Sequence, residues 1–507
     1  MIRQALLLSV LSASAAFAQA SSLPDTALVR RILTAEDRRD TTDRALAEGV
    51  ASRDARVAQL ARRAAARMRD PRFTARDSLG VLPAPPSYPE PAWRLRYRVL
   101  DPRKPDCSAL REALADASWH VRLRAADLAG SACRGDAAFT AAMRAWLATA
   151  GNVARARDGA AWQPAAHALV ALSRAAPEVA RAELPGFLRH EAHWVRVYAA
   201  RAAAVLADTQ ALRTLADDRD DNVKEAAIDA LSKLTAHADD SLYIAALQSR
   251  GYQAVRSAAL ALKDATPTRP MRHALVTAAQ RLRADSSETS RDARTEVMAR
   301  LAKMADAQMA AHIATLASDF DCVIAAKAAD IATALGKSTT PQCTPFTREL
   351  PADAVRLALG ADVRLRVVMA PSSGGGSFIV RLRGDVAPIM AARTLAFVQS
   401  GYYDQQAWHR VEPNFVIQGP SPGDNEYVGH PRFLRDELGT VPHVRGTVGM
   451  STRGHDTGDA QWFVNLKDNL NLGRDYTVFG EIAEGIEVAD GVLEGDVIER
   501  IEVMRVR

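Results

Sequence analysis

One short pattern recurs along the first two-thirds of the chain and restricts what that stretch can become. Asp54-Ala55-Arg56-Val57 leads to Leu60 and Ala64, His120-Val121-Arg122 to Ala125, Ala126 and Leu128, and Trp194-Val195-Arg196 to Ala199, Ala200 and Ala203. Asn222-Val223-Lys224 and Ala254-Val255-Arg256 repeat it, with degenerate copies at Ala293-Arg294 and Cys322-Val323. Val195 and Val223 lie 28 residues apart, Val223 and Val255 32, and Val57 and Val121 64, twice that interval. Through the same stretch, apolar residues fall at i, i+3, i+4 and i+7, the period of an amphipathic helix. Two such helices per repeat make a stack of hairpins, each burying its apolar side against its neighbours. The pattern predicts that the Asp or Asn ahead of the Val caps the second helix, that the Val and Ala residues pack on the next hairpin, and that the Arg or Lys stays near the surface.

The recurring unit resembles HEAT repeats, which implies an all-α solenoid over residues 21–336 whose extended surface binds a protein partner. Two interruptions stand out. Residues 71–105 hold eight prolines, so this insertion cannot be helical through its middle and is expected to wrap the array or stay mobile. A second break, Gly151 to Pro164, carries Arg155, Arg157 and Trp162. His190-Glu191-Ala192-His193 has histidines at i and i+3 without a third ligand, and it lacks the spacing of a zinc-protease helix, so it reads as a solvated helix start and not as a metal site.

At Lys337 to Thr340, with Pro341 and Pro345, the helical period stops, and residues 337–352 read as a linker between separable units. Beyond it the period becomes alternating. Val363 to Met369 reads as a strand, Ser372 to Ser377 as a hairpin loop and Phe378 to Leu382 as the returning strand. Pro388 to Ser400 has a helical pattern.

Three ordered blocks follow. Trp408-His409-Arg410-Val411-Glu412-Pro413-Asn414-Phe415-Val416-Ile417-Gln418-Gly419 resembles the cyclophilin segment F-H-R-V-x-P-x-F-x-x-Q-G. Gly446-Thr447-Val448-Gly449-Met450-Ser451, with Asp459-Ala460-Gln461-Trp462-Phe463-Val464, resembles that family's G-x-x-x-M-A and S-Q-F-F-I. Leu472-Gly473-Arg474-Asp475-Tyr476-Thr477-Val478-Phe479-Gly480 is similar to L-D-x-x-Y-x-V-F-G. The resemblance implies a closed, eight-stranded antiparallel β-barrel with two capping helices over residues 353–507, acting as a peptidyl-prolyl cis/trans isomerase of the bacterial cyclophilin type. It implies Arg410 as the catalytic residue and Phe415, Val416, Phe463, Leu472 and Tyr476 as the proline pocket. Gln418, Gln461 and the backbone at Ser451 and Thr452 would hold the peptide. Asn471 stands where many eukaryotic members have Trp, Tyr476 where they have His, and Gly419-Pro420 replaces Gly-Gly; Trp462 should face the core.

The residue types fit that chemistry. Turning an X-Pro bond breaks amide resonance against a barrier of about 20 kcal/mol. A catalyst needs no nucleophile, metal or cofactor. It needs an apolar slot for the ring, donors for the flanking backbone, and a cation that bonds the prolyl nitrogen as it becomes pyramidal. Arg410 keeps its charge at any working pH, and Gln418 can steady its fork. The alternative is a scaffold or chaperone that grips proline-containing peptides without turning them over.

Met1-Ile2-Arg3, the apolar run Ala5 to Leu11, and Ala16-Phe17-Ala18 or Ala18-Gln19-Ala20 fit a signal peptide over residues 1–20, directing the protein to the periplasm or outside the cell. Later apolar stretches fall short of the ~20 residues of a membrane helix, so no membrane insertion is expected. Cys107, Cys133, Cys322 and Cys343 are sequence-local pairs. The pairing 107–133 with 322–343 closes the smallest loops; structural disulfides and inert thiols are both open readings. Sixty-five basic residues are interleaved with sixty acidic ones for a net charge of +5, which leaves no tract for nucleic acid.

Overall fold

The computed structural model describes residues 24–68, 82–151, 160–439 and 441–504. The expected signal peptide, residues 71–81 of the first interruption and residues 152–159 of the second lie outside them. The chain forms two units, residues 1–80 and 81–507. In the first, helices Thr26–Arg38, Arg44–Val50 and Ala55–Arg67 pack together. Asp54 caps the third by accepting from the N–H of Arg56 at 2.9 Å, and a buried ion pair joins Arg67 to Glu36 at 3.0 Å.

In the second unit, the helices Gln163–Ala175, His193–Val205, Asp221–Thr235, Tyr252–Ala261 and Arg291–Met304 lie side by side in chain order. The repeated valines Val121, Val195, Val223 and Val255 are buried, as are Ala199, Ala200 and Ala203, each valine contributing roughly 1.5–3 kcal/mol through burial. Three details differ from the pattern's prediction. Val323 is 46% exposed. Asn222 is not a cap: Asp220 accepts from its N–H at 2.9 Å, because the helix begins at Asp221, two residues before a cap at Asn222 would start it. Arg196 and Arg294 are buried, since an aspartate of the next repeat meets each one. Arg196 pairs with Asp218 at 2.8 Å and Arg294 with Asp319 at 2.6 Å, which neutralises charges that burial would otherwise penalise.

Both local cysteine pairs are disulfides, Cys107–Cys133 and Cys322–Cys343. The second fastens residues 337–352 to the helices, where the N–H of Gln342 also donates to Ala317 at 2.8 Å and Phe346 packs on Phe320. No helix among the described residues is long and apolar enough to cross a membrane.

After the short helix Ala354–Ala358 come the strands β1 (Arg364–Met369), β2 (Ser377–Leu382), β3 (Arg410–Val411), β4 (Val416–Gly419), β5 (Thr447–Met450), β6 (Trp462–Asn465), β7 (Val478–Glu484) and β8 (Ile498–Met504). They form one antiparallel sheet in the order β3-β4-β6-β5-β7-β2-β1-β8, with helix Pro388–Gln399 against β7 and β8. The sheet is a curled half-barrel and not the closed barrel expected. Its edges are β3 and β8, and Ala407 makes only isolated bridges, to Ser421 and Val497. β3 is two residues long and then turns, the N–H of Phe415 bonding Glu412 at 2.8 Å, so it is too short to ladder with β8. Inside the curl, Leu365, Val367, Val380, Tyr403, Trp462, Phe479 and Ile501 leave a void of only about 10 Å³. Such a space holds at most one water, so the interior is core and any binding must use the outside.

The proline-rich stretch lies on this sheet. Residues 82–91 are irregular and lead into helix Ala92–Val99. Tyr88 donates its hydroxyl to the carbonyl of Ile482 at 2.7 Å, while Arg383 and Arg445 donate to the carbonyls of Pro83 and Pro89. Prolines lack the N–H that a further strand would need, so the segment is held through its carbonyls and side chains.

Candidate active site

Strand register assembles the site. Arg410 pairs with Gln418, Gln418 with Phe463, and Phe463 with Gly449, so one row crosses four strands and its side chains share a face. The alternate residues Ile417, Val464 and Trp462 point to the core, where Trp462 meets Trp408 edge-on at 5.1 Å, as expected of it. At Gly449 a Cβ would stand 2.5 Å from the Phe463 ring; only glycine lets that ring lie flat over the sheet.

Val416, Phe463 and Leu472 form a separate buried apolar cluster with the half-exposed Phe415 and Tyr476 packed against it. These are the five residues expected to line a proline pocket. Phe463 and Tyr476 meet edge-to-face at 5.6 Å. Arg410 stands at the rim, its guanidinium 5.9 Å from the centre of the Phe415 ring and its side chain 45% exposed. Its Nη1 donates to Gln418 Oε1 at 3.2 Å, and Gln418 Nε2 donates to Ser451 Oγ at 3.0 Å. The relay fixes the Gln418 amide, whose oxygen then orients the cation.

Gln461 is buried behind this row. Its amide nitrogen faces the carbonyls of Glu426 and Val428 and the carboxylate of Asp459 at 3.3–3.5 Å, which leaves Oε1 as a buried acceptor without a partner among the described residues. Such an acceptor costs about 1–3 kcal/mol until a donor reaches it. Burial pushes Asp459 up to about 6, opposed by the ion pair with Arg453. The N–H of Ser451, whose backbone is expected to hold the peptide, donates to the carbonyl of Gln461 at 2.8 Å. The Ser451 hydroxyl is the acceptor for Gln418, and Thr452 follows it, partly buried. Asn471 is exposed.

Sequence reasoning missed the support beneath the cluster. His443 is fully buried and stacks on Phe463 at 5.7 Å. Burial lowers its pKa, so it is neutral, with Nε2 donating to the carbonyl of Tyr476 at 3.0 Å and Nδ1 accepting from Asn465 at 3.2 Å. Asn469 in turn donates to the carbonyl of Phe415 at 3.1 Å. His443 precedes the Gly446 block by three residues; that adjacency was its only signal. The histidines of the 190–193 motif meet distant parts of the chain: His190 bonds the carbonyl of Ala150 at 2.9 Å, and His193 lies 3.5 Å from Asp424.

A family model described as Cyclophilin type peptidyl-prolyl cis-trans isomerase/CLD matches residues 366–506. A peptidyl-prolyl cis-trans isomerase of Helicobacter pylori (strain ATCC 700392 / 26695) is 33% identical over 130 residues, 25% of this chain and 80% of that protein. Peptidyl-prolyl cis-trans isomerase B of Bacillus subtilis (strain 168) is 31% identical over 131 residues, 25% of this chain and 92% of that protein. A solved cyclophilin type peptidyl-prolyl cis-trans isomerase of Cryptosporidium parvum aligns with a TM-score of 0.27 at 21% identity, covering 29% of this chain and 100% of that one. Through its C-terminal residues, the chain belongs to the cyclophilin-type peptidyl-prolyl cis-trans isomerases.

Proposed function

We propose that the protein isomerises X-Pro bonds of extracytoplasmic polypeptides, with Arg410 as the catalytic residue and the helical region as a HEAT-like scaffold that holds the client. The observation that carries the reading is the apolar cluster of Val416, Phe463 and Leu472 with a half-exposed arginine at its rim. A prolyl ring fills the cluster, the substrate backbone donates to Gln461 Oε1, and the Arg410 guanidinium bonds the prolyl nitrogen as its lone pair leaves the amide. That bond exists only in the twisted state, so it lowers the barrier without tightening ground-state binding. The side-by-side helices and their repeated valines support the scaffold. The signal-peptide pattern and the two disulfides support the compartment.

Isomerisation of a short X-Pro peptide by the full-length protein is the test. Arg410→Ala is expected to lower kcat/KM by about 100-fold, or about 2.7 kcal/mol of transition-state stabilisation. An unchanged rate removes Arg410 from the mechanism and favours a scaffold that only grips proline. For the compartment, thiol titration of denatured, unreduced protein should find no free cysteine; four free thiols in native material would remove that support.

A further inference from the structure

We infer that the cavity between the helical region and β3 receives the client polypeptide on one side of its proline, and that it selects segments carrying Lys or Arg. The inference rests on the isomerase reading, since it places the client's neighbouring residues beside Arg410. The cavity encloses about 1110 Å³. One wall is the sheet edge from His409 to Pro413. The opposite wall comes from the helices, with Tyr198 and Arg201 on His193–Val205 and Glu225, Asp229 and Lys233 on Asp221–Thr235.

Arg410 belongs both to this cavity and to the rim of the proline cluster. A chain whose proline occupies the cluster leaves it extended, at roughly 3.3–3.6 Å per residue, so a few residues on one side enter the cavity. β3 is an edge strand, paired on one side only, the kind of border that extended peptides join. The cavity also holds an unmatched polar group. His409 lines it, is 9% exposed, and neither ring nitrogen has a hydrogen-bond partner among the described residues. Burial, with Arg410 adding to it, lowers His409 to about 3, so the ring is neutral and offers one donor and one acceptor.

Charge defines the occupant. Three Asp and four Glu line the cavity against three Arg and one Lys. Glu225 is pushed up to about 8 by burial, with Asp229 and Glu426 adding to the effect and Arg256 opposing it. A cation entering here relieves that repulsion and favours the ionised carboxylate, whereas an acidic segment adds to it.

The test uses full-length protein and labelled peptides of about twelve residues, long enough to span site and cavity, sharing one Ala-Pro core flanked by Lys or by Glu. Fluorescence anisotropy is expected to show about tenfold tighter binding of the basic peptide. E225Q/D229N should reduce that preference to about threefold or less, and D229K should abolish it, with thermal melts confirming that each variant folds. Turnover of an Ala-Pro tetrapeptide, too short to reach the cavity, should be unchanged in both. Equal affinity of the wild type for the two long peptides, or a preference that survives in both variants, overturns the proposal. If the protein fails to isomerise the tetrapeptide but still selects the basic peptide, the isomerase reading falls and the channel stands.

Discussion

Arg94 and Arg410 flank the same turn of the sheet, yet one is fully buried and the other stands 45% in solvent. Arg94, on the helix that ends the proline-rich stretch, donates Nε to the carbonyl of Pro413 at 3.0 Å, Nη1 to that of Leu466, and Nη2 to Asp490 at 2.9 Å. Arg445 grips the other side of Asp490 with two bonds of 2.8 and 2.6 Å. Among the described residues Arg410 has a single neutral partner at 3.2 Å and a loose approach to Glu412 at 3.9 Å. An arginine whose donors are all committed is a fastener. One whose donors are mostly free can give a hydrogen bond to a transition state. The helical region therefore holds, through Arg94, the turn that carries Arg410.

Exchanging the two roles by mutation gives the largest effects. Arg94→Ala leaves the carbonyl of Pro413 unbonded and takes one of two arginine partners from the carbonyl of Leu466 and from Asp490, and it is expected to destabilise the full-length protein by about 3–5 kcal/mol. Denaturant unfolding would measure it, with a loss of isomerase rate as the Pro413 turn relaxes. Arg410→Ala, by contrast, should leave the unfolding midpoint where it was. A loss below about 1 kcal/mol for Arg94→Ala would erase the distinction.

A second fastener is apolar. Trp162 and Trp194 stack at 5.9 Å with their planes 8° apart, and the loop before β8 lays Gly495 on them. Gly495 has φ +83, and a Cβ there would stand 2.9 Å from Trp162 and 3.3 Å from Trp194. Gly495→Ala combines a left-handed backbone with a clash, at an expected cost of about 2 kcal/mol. A shift of tryptophan fluorescence should accompany the lowered melting temperature. An alanine variant as stable as the wild type would show that the two indoles yield to the loop.

What could be read in advance divides along the same line. Arg410, Phe415, Val416 and Gln418 lie within nine residues, and Gln461 and Phe463 within three, so local strings carried them and strand register then aligned them. The fasteners had no such string. Asn222 donates to the carbonyl of Gly423, Tyr198 to Glu494, and Arg453 reaches Asp292, all across more than 150 residues. Periodicity reports which side of a helix is apolar, not which distant loop covers it. It made Arg196 and Arg294 look exposed, because their aspartate partners belong to the next repeat. The half-barrel was hidden for a similar reason: the strand pattern gives lengths, while closure depends on where β3 turns away.

The smallest expected effect asks how far the contrast between fastener and catalyst extends into the site itself. Ser451 is not one of the hydrophobic residues of the apolar cluster, yet its hydroxyl accepts from Gln418 Nε2 at 3.0 Å, and Gln418 Oε1 accepts from Arg410. Ser451 is in this sense a positioning residue, one step removed from the cation. Ser451→Ala keeps the backbone bond from its N–H to Gln461 at 2.8 Å and removes only the acceptor that fixes the Gln418 amide. The lost hydrogen bond is worth about 1 kcal/mol, which corresponds to about a fivefold fall in rate. Because the apolar cluster is untouched, the fall should appear in kcat with KM nearly constant, as for an interaction realised only in the transition state. Ser451→Thr restores the hydroxyl and should recover most of the rate. A loss confined to KM, or equal rates in the alanine and threonine variants, would show that Gln418 holds its orientation without Ser451. Arg410 would then be set by the strand register alone.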